Sequence, residues 1–273
     1  MFVTRLVSGI VLLAVMLLTI IRGGALLCAF LLAISLIGMF ELQRAAGKRG
    51  GKDALSIASY LCAAVYYVPV FLGEETFLMG GVALTLIVLL VIYVLRYPEY
   101  RAEEVMCAFF GFVYVAVCLS YIYQTRMYLT DGAYAVWLIV ICSWGCDTLA
   151  YCAGRLFGRH RMAPVLSPKK TVEGAVGGVA GAALIGGIYA IFAGSRMEMT
   201  GSPVISYAVL CACGALVSMV GDLAASAIKR NHDVKDYGNL IPGHGGILDR
   251  YDSVIITAPI IFFLARLFAR MAG

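Results

Sequence analysis

The chain alternates long apolar runs with short polar connectors over almost its whole length. Apolar runs of about 17 to 23 residues have the length that a helix needs to cross a bilayer, and charged residues, prolines or glycine clusters separate them. The predicted spans are 5–21, 24–42, 54–73, 76–95, 103–121, 132–153, 171–193, 203–228 and 251–270. The pattern predicts an all-α, polytopic integral membrane protein with about nine transmembrane helices.

Composition supports this interpretation and excludes a large soluble domain. Hydrophobic residues make up 62% of the 273 residues and charged residues only 14%, against roughly 25% charged residues in an ordinary soluble domain. The nine cysteines lie in or beside apolar runs and form no C-x2-C pair, so they are interpreted as packing residues. The chemistry of the protein is therefore expected in helices and short connectors.

Basic residues are concentrated in alternate connectors. Together with Arg5, the connectors after the second, fourth, sixth and eighth spans hold 16 of the 21 Lys and Arg residues. Because cytoplasmic loops carry such an excess, we expect a cytoplasmic N-terminus and a location in the cell (inner) membrane. Orientation and attraction to anionic lipids account for the net charge of +5, so no nucleic-acid partner is required.

The chain is expected to divide into a part without specific motifs and a catalytic part. Residues 1–125 are predicted to form N-terminal membrane helices, and residues 126–273 to form catalytic membrane helices with cytoplasmic loops at 154–171 and 229–250. Within the seventh span, Gly174 and Gly178 lie four apart. This spacing favours close helix packing in lipid over a nucleotide-binding loop.

Acidic residues lie inside or at the edge of predicted spans. The four that we select, all in the second half of the chain, are Asp147, Glu173, Asp222 and Asp252. A central acidic residue costs about 2.5–3.5 kcal/mol on insertion scales, so each needs a partner or a function. An interhelical pair that only stabilises helix packing is one interpretation. The other is a ligand site.

Helical spacing favours the ligand site. Asp222, Ser226 and Lys229 share one helix face, and Asp249 stacks with Asp252 on a helix that starts near residue 248. Carboxylate oxygens suit Mg²⁺, which takes one or two carboxylates and completes its shell with water and phosphate. The predicted ligands of Mg²⁺, with or without a second cation, are Asp222, Asp249, Asp147 and Asp252.

Two loops have features expected of a phosphate site. Ser167 before Pro168 predicts a helix N-cap and first helical residue, followed by two lysines and free backbone N–H groups. The glycines of 242–246 permit close backbone approach to a phosphate. Either loop alone is also compatible with a capped helix or a flexible turn. The predicted phosphate-binding residues are Ser167, Lys169, Lys170, Thr171, Ser226, Gly243, Gly245 and Gly246.

The stretch 226–252 resembles the signature of the phosphatidate cytidylyltransferases, also called CDP-diacylglycerol synthases. It fits the form S-x-x-K-R-x4-K-D-x-G-x3-P-G-H-G-G-x-x-D-R-x-D at each position, and 147–155 and 167–174 resemble further blocks of that family. The resemblance implies that the enzyme transfers a cytidylyl group from CTP to phosphatidate in phospholipid biosynthesis. Its products would be CDP-diacylglycerol and pyrophosphate, and Mg²⁺ would be required.

The resemblance also implies partners and a set of catalytic residues. The catalytic residues are expected to be Lys229, Arg230, Lys235, Asp236, His244 and Arg250. CTP and phosphatidate are the implied substrates, membrane lipids are the surroundings, and a homodimer is left open. One alternative is a CTP-dependent enzyme acting on another lipid phosphate or a polyprenol. The other is an ion-coupled transporter, which predicts inverted repeats that the two halves of the sequence do not show.

Overall fold

The part of the chain that the structure describes is almost entirely helical. The computed structural model describes residues 2–46, 49–194, 202–241 and 245–272. Its helices are α1 (Phe2–Arg22), α2 (Gly24–Ala46), α3 (Ala54–Leu72), α4 (Glu75–Leu95), α5 (Ala102–Tyr128), α6 (Gly132–Phe157), α7 (Val172–Ala193), α8 (Pro203–Asn231) and α9 (Leu248–Ala272). A hairpin of β1 (Arg161–Ala163) and β2 (Ser167–Thr171) lies between α6 and α7.

The predicted class of all-α, polytopic membrane protein is confirmed. Among the described residues, 8 helices are long and apolar enough to cross a membrane, and α1 contributes a shorter apolar segment, Gly9–Arg22. Several helices continue beyond the predicted spans, since α5 ends at Tyr128 and α8 at Asn231. The helices are longer than the spans because an apolar run marks only the part of a helix that faces lipid. The helix itself continues until a residue interrupts its backbone hydrogen bonds.

The chain forms two compact units. Unit one comprises Met1–Tyr123 and Ile228–Tyr251, and unit two comprises Gln124–Ala227 and Asp252–Gly273. The unit boundaries fall within α5, α8 and α9. The stretch 228–251 therefore packs with the N-terminal helices, although it belongs to the C-terminal half of the sequence.

Unit one contains an apolar core in which α3 packs against α4 and the start of α5. The buried residues of this core are Leu55, Ala58, Leu89, Tyr100, Val105 and Ala108. Asp53 caps α3, because its carboxylate accepts the N–H groups of Leu55 at 3.1 Å and Ser56 at 3.2 Å. At its other end α3 stops at Gly73, whose φ of +80° suits glycine.

Small residues let α6 and α7 approach closely in unit two. A Cβ atom added at Gly178 would lie 2.8 Å from the Ala150 Cβ and 3.0 Å from the Cys146 carbonyl oxygen. One added at Gly174 would lie 2.7 Å from the Ala150 carbonyl oxygen. The prediction that these glycines serve close helix packing is confirmed.

The connector before α7 differs from the prediction. Ser167 is predicted to cap a helix, but it begins β2, which pairs antiparallel with β1. The cap of α7 is Thr171, whose hydroxyl accepts the N–H of Gly174 at 3.1 Å. Lys169 and Lys170 therefore lie in β2, immediately before the cap of α7, and the prediction that they follow an N-cap at Ser167 is wrong.

Gly178→Ala is expected to destabilise the protein, since the added methyl group has no room between α6 and α7. The expected loss of unfolding free energy is roughly 1–3 kcal/mol, measured as a lower Tm in detergent. Gly80→Ala in α4 is the matched control, because nothing lies within 4 Å of a Cβ at that position. This control should retain or raise the Tm, and equal melting temperatures for both variants would contradict the packing.

Candidate active site

Most of the described part of the signature stretch, 228–241 and 245–251, belongs to unit one, where it surrounds the carboxylate of Asp249. This residue lies in the first turn of α9, and its side chain is 2% exposed. Its Oδ1 accepts a hydrogen bond from Lys229 Nζ at 2.8 Å. Its Oδ2 accepts the N–H groups of Tyr237 at 2.8 Å and Gly246 at 3.0 Å. One carboxylate thus joins the end of α8, the following loop and the start of α9.

Lys229 brings a buried positive charge to this group. Its side chain is 13% exposed, and Nζ lies 5.2 Å from the centre of the Tyr237 ring. Separating such a pair would leave an uncompensated buried charge, so the geometry is strongly maintained. Lys229 and Asp249, predicted as catalytic residue and metal ligand, therefore contact each other directly.

Glycines permit the tight backbone path next to this pair. Gly245 has a φ of +87°, a conformation that side chains disfavour. Gly246 lies so close to the Glu41 carboxylate that a Cβ would overlap it. Gly243 and His244 lie outside the described residues. The contacts of Gly243, Gly245 and Gly246 with phosphate stay predictions.

Two residues of α2 that the sequence analysis did not select complete the group. Glu41, which is 3% exposed, accepts the N–H groups of Ile247 at 3.1 Å and Leu248 at 2.9 Å. Arg44 donates from Nη2 to the Tyr237 carbonyl oxygen at 2.8 Å. The sequence signal that could have identified them is an acidic and a basic residue one helical turn apart at the end of an apolar span.

We define the loop cluster by its residues in unit one. They are Glu41, Arg44, Lys229, Tyr237, Gly245, Gly246, Ile247, Leu248 and Asp249. The backbone of this loop is held by protein carboxylates and one guanidinium, so its described geometry is preorganised by side chains from α2, α8 and α9.

Unit two contains a separate group, the acidic cluster, formed by Asp147, Lys170, Asp222 and Ser253. Lys170 of β2 forms an ion pair with Asp222. Ser253 donates from Oγ to Asp147 Oδ2 at 3.2 Å, and Asp147 lies within electrostatic range of Asp222 and Lys170. Lys170 thus pairs directly with Asp222 and acts on Asp147 at longer range. The remaining negative charge suits a hard cation.

Two further predicted residues lie beside the acidic cluster. Ser226 Oγ lies 3.5 Å from Asp222 Oδ1, which confirms that they share a helix face. Asp252 accepts the N–H of Ser253 at 2.8 Å. Across the described ranges, no three His, Cys, Asp or Glu side chains are grouped closely enough to hold a metal alone. A cation bound here would need water or substrate oxygens in addition.

The other predicted residues are accessible to solvent to different degrees. Arg230, Lys235, Asp236 and Lys169 are exposed, while Arg250, Ser167 and Thr171 are partly exposed. Exposed cations raise the local concentration of polyanionic ligands. Their roles toward a substrate stay predictions.

The chain matches known proteins over nearly its full length. The sequence model of the Cytidylyltransferase family matches residues 3–268. The phosphatidate cytidylyltransferase of Bacillus subtilis (strain 168) is 30% identical over 271 residues, which cover 97% of this chain and 98% of that protein. The phosphatidate cytidylyltransferase of Synechocystis sp. (strain ATCC 27184 / PCC 6803 / Kazusa) is 30% identical over 292 residues, covering 95% and 94%.

These matches include all of α2–α8 and most of α9, and so both the loop cluster and the acidic cluster. They confirm the family resemblance inferred from the stretch 226–252. The helices, the signature and the extent of the match agree with one another. The chain therefore belongs to the cytidylyltransferase family and is a multi-pass membrane nucleotidyltransferase.

Proposed function

We propose that the protein transfers the cytidylyl group of CTP to phosphatidate, giving CDP-diacylglycerol and pyrophosphate in phospholipid biosynthesis. The observation that carries this proposal is the complete signature at 226–252, in a chain that matches phosphatidate cytidylyltransferases over at least 95% of its length. The protein is proposed to lie in the inner membrane with its active site facing the cytoplasm. The basic connectors favour that orientation, and CTP arrives from the cytoplasm.

The proposed reaction brings two polyanions together. A phosphate oxygen of phosphatidate attacks the α-phosphorus of CTP, the bond to the bridging oxygen of the β-phosphate breaks, and pyrophosphate leaves with that electron pair. The attacking phosphate is largely ionised at neutral pH, because its second pKa is about 6, so no strong general base is needed. Repulsion between the substrates is the first barrier, and positioned cations lower it.

Basic residues in each unit suit this task. In the loop cluster, the Lys229 ammonium is fixed by Asp249 before any substrate arrives, so little reorganisation is needed during reaction. Arg230 and Lys235 are exposed and can neutralise phosphate charge. In unit two, Lys170 lies beside Asp222 and can offer its ammonium to a phosphate.

The acidic cluster has the donor set of a Mg²⁺ site. Asp147 and Asp222 supply hard oxygen ligands, and the Lys170 ammonium offsets part of their charge. A bound Mg²⁺ would stabilise the negative charge on phosphate oxygens. Asp249 accepts two backbone N–H groups as well as the Lys229 ammonium. The contacts of Asp222 come from the Lys170 and Ser226 side chains, which can rotate away, so we favour Asp222 as the primary ligand. Asp252 remains a proposed further ligand.

The purified protein in detergent is expected to convert labelled CTP and phosphatidate into CDP-diacylglycerol only when Mg²⁺ is present. Asp222→Asn keeps the side-chain shape but removes a charge, so turnover should fall at least about a hundredfold. Asp233→Asn is the matched control, because Asp233 is exposed and occupies a variable position of the signature.

Two outcomes of this assay would contradict the proposal. Transfer to a polyprenol but not to phosphatidate would assign a different acceptor. Near-normal Mg²⁺-dependent turnover in Asp222→Asn would show that the acidic cluster only stabilises helix packing.

Kinetics should separate the roles of Lys170 and Lys229, which are both partly buried. Lys229→Ala is expected to lower kcat strongly, because a rigidly held charge acts where charge develops in the transition state. Lys170→Ala is expected mainly to raise the KM for one polyanionic substrate. Steady-state rates with CTP and phosphatidate varied separately, at a temperature where each variant is still folded, measure this difference. The reverse pattern would exchange the roles of the two lysines.

A further inference from the structure

Glu41 binds the start of α9 from a helix that is distant in sequence. It lies near the end of α2 and is 3% exposed. Its Oε1 accepts the N–H of Ile247, and its Oε2 accepts the N–H of Leu248, which are 206 and 207 positions away. The first amides of a helix lack intrahelical partners and carry the positive end of its dipole. The Glu41 carboxylate therefore acts as the cap of α9.

The surrounding loop leaves a space that the Glu41 side chain fills. A Cβ added at Gly238 or Gly246 would overlap the Glu41 carboxylate. Both glycines belong to the signature stretch. The absence of side chains at these two positions therefore permits the carboxylate to reach the amides of α9.

Contacts from α2 reach both sides of the loop. Arg44, one turn after Glu41, donates to the carbonyl oxygen of Tyr237, while the N–H of Tyr237 is bound by Asp249. Glu41 binds Leu248, the residue immediately before Asp249. A shift of α9 at Leu248 would move Asp249, and with it the ammonium of Lys229.

Space filling alone does not account for a carboxylate at this position. A buried carboxylate loses its hydration, and an apolar side chain of similar volume would avoid that cost. A carboxylate adds two directed hydrogen bonds that orient the first turn of α9. We infer that Glu41 is a positioning residue for cytidylyl transfer, acting through the start of α9 and the Lys229–Asp249 pair. This inference rests on the proposed function.

Glu41→Gln is the most direct test, because it keeps the size of the side chain and replaces one acceptor oxygen by an NH₂ group facing an N–H donor. We expect kcat to fall at least about tenfold, since displacements of about 1 Å in a site cost up to 10²-fold. The KM for CTP should change by less than about threefold, because the substrate-binding cations remain. Hydrogen exchange of the amides at 245–251 should accelerate. Glu41→Asp, which keeps both oxygens, should recover part of kcat.

Ser35→Ala is the matched control on the same helix. Ser35 is fully buried and its hydroxyl bonds to the Tyr67 hydroxyl at 2.9 Å, within the helix packing of α2. This variant should lose stability while keeping kcat and the exchange rate of the 245–251 amides. A kcat and exchange rate in Glu41→Gln equal to those of Ser35→Ala would overturn the inference.

The two readouts distinguish this inference from the proposed function. If wild-type protein forms no CDP-diacylglycerol, the proposed function fails. Hydrogen exchange then decides alone whether Glu41 holds the start of α9, and unchanged exchange in Glu41→Gln overturns that role as well.

Discussion

The ion pair between Lys229 and Asp249 joins the end of α8 to the start of α9. Both side chains are largely removed from water, so each charge depends on the other, and loss of one partner from a buried pair typically costs about 3–5 kcal/mol. The same Asp249 carboxylate binds the backbone of Tyr237 and Gly246. Once this pair forms, the described parts of the loop between the two helices are held at Tyr237 and Gly246.

Under the proposed function, this constraint places a charge for nucleotidyl transfer in a protein with short connectors. Nucleotidyl transfer requires charges placed before the substrates arrive rather than a strong base. In unit one, Lys229 is fixed by Asp249, and Glu41 and Arg44 of α2 hold the loop. In unit two, Asp147 and Asp222 retain a negative charge beside Lys170. The carboxylates of both groups lie on long helices, with Glu41 on α2, Asp249 on α9, Asp147 on α6 and Asp222 on α8.

Hydropathy predicted the helices well, because a bilayer imposes both length and polarity on each span. Helical spacing also predicted the start of α9 near Leu248 and the close packing at Gly178. The strand β2 was missed because pairing with β1 overrides the local N-cap pattern at Ser167. Glu41 lies inside the predicted span 24–42 and met the criterion applied to Asp147, but its partners could not be predicted, because they lie more than 200 positions away and no periodicity connects such positions.

The pairing of Lys229 with Asp249 is the central claim, and a double-mutant cycle on the free energy of unfolding tests it most directly. The cycle compares Lys229→Met, Asp249→Asn and the double variant in detergent. Each single variant should lose roughly 3–5 kcal/mol. The double variant should lose less than the sum, with a coupling of at least about 1 kcal/mol. Additive losses would show that the two residues do not stabilise each other and would contradict the claim.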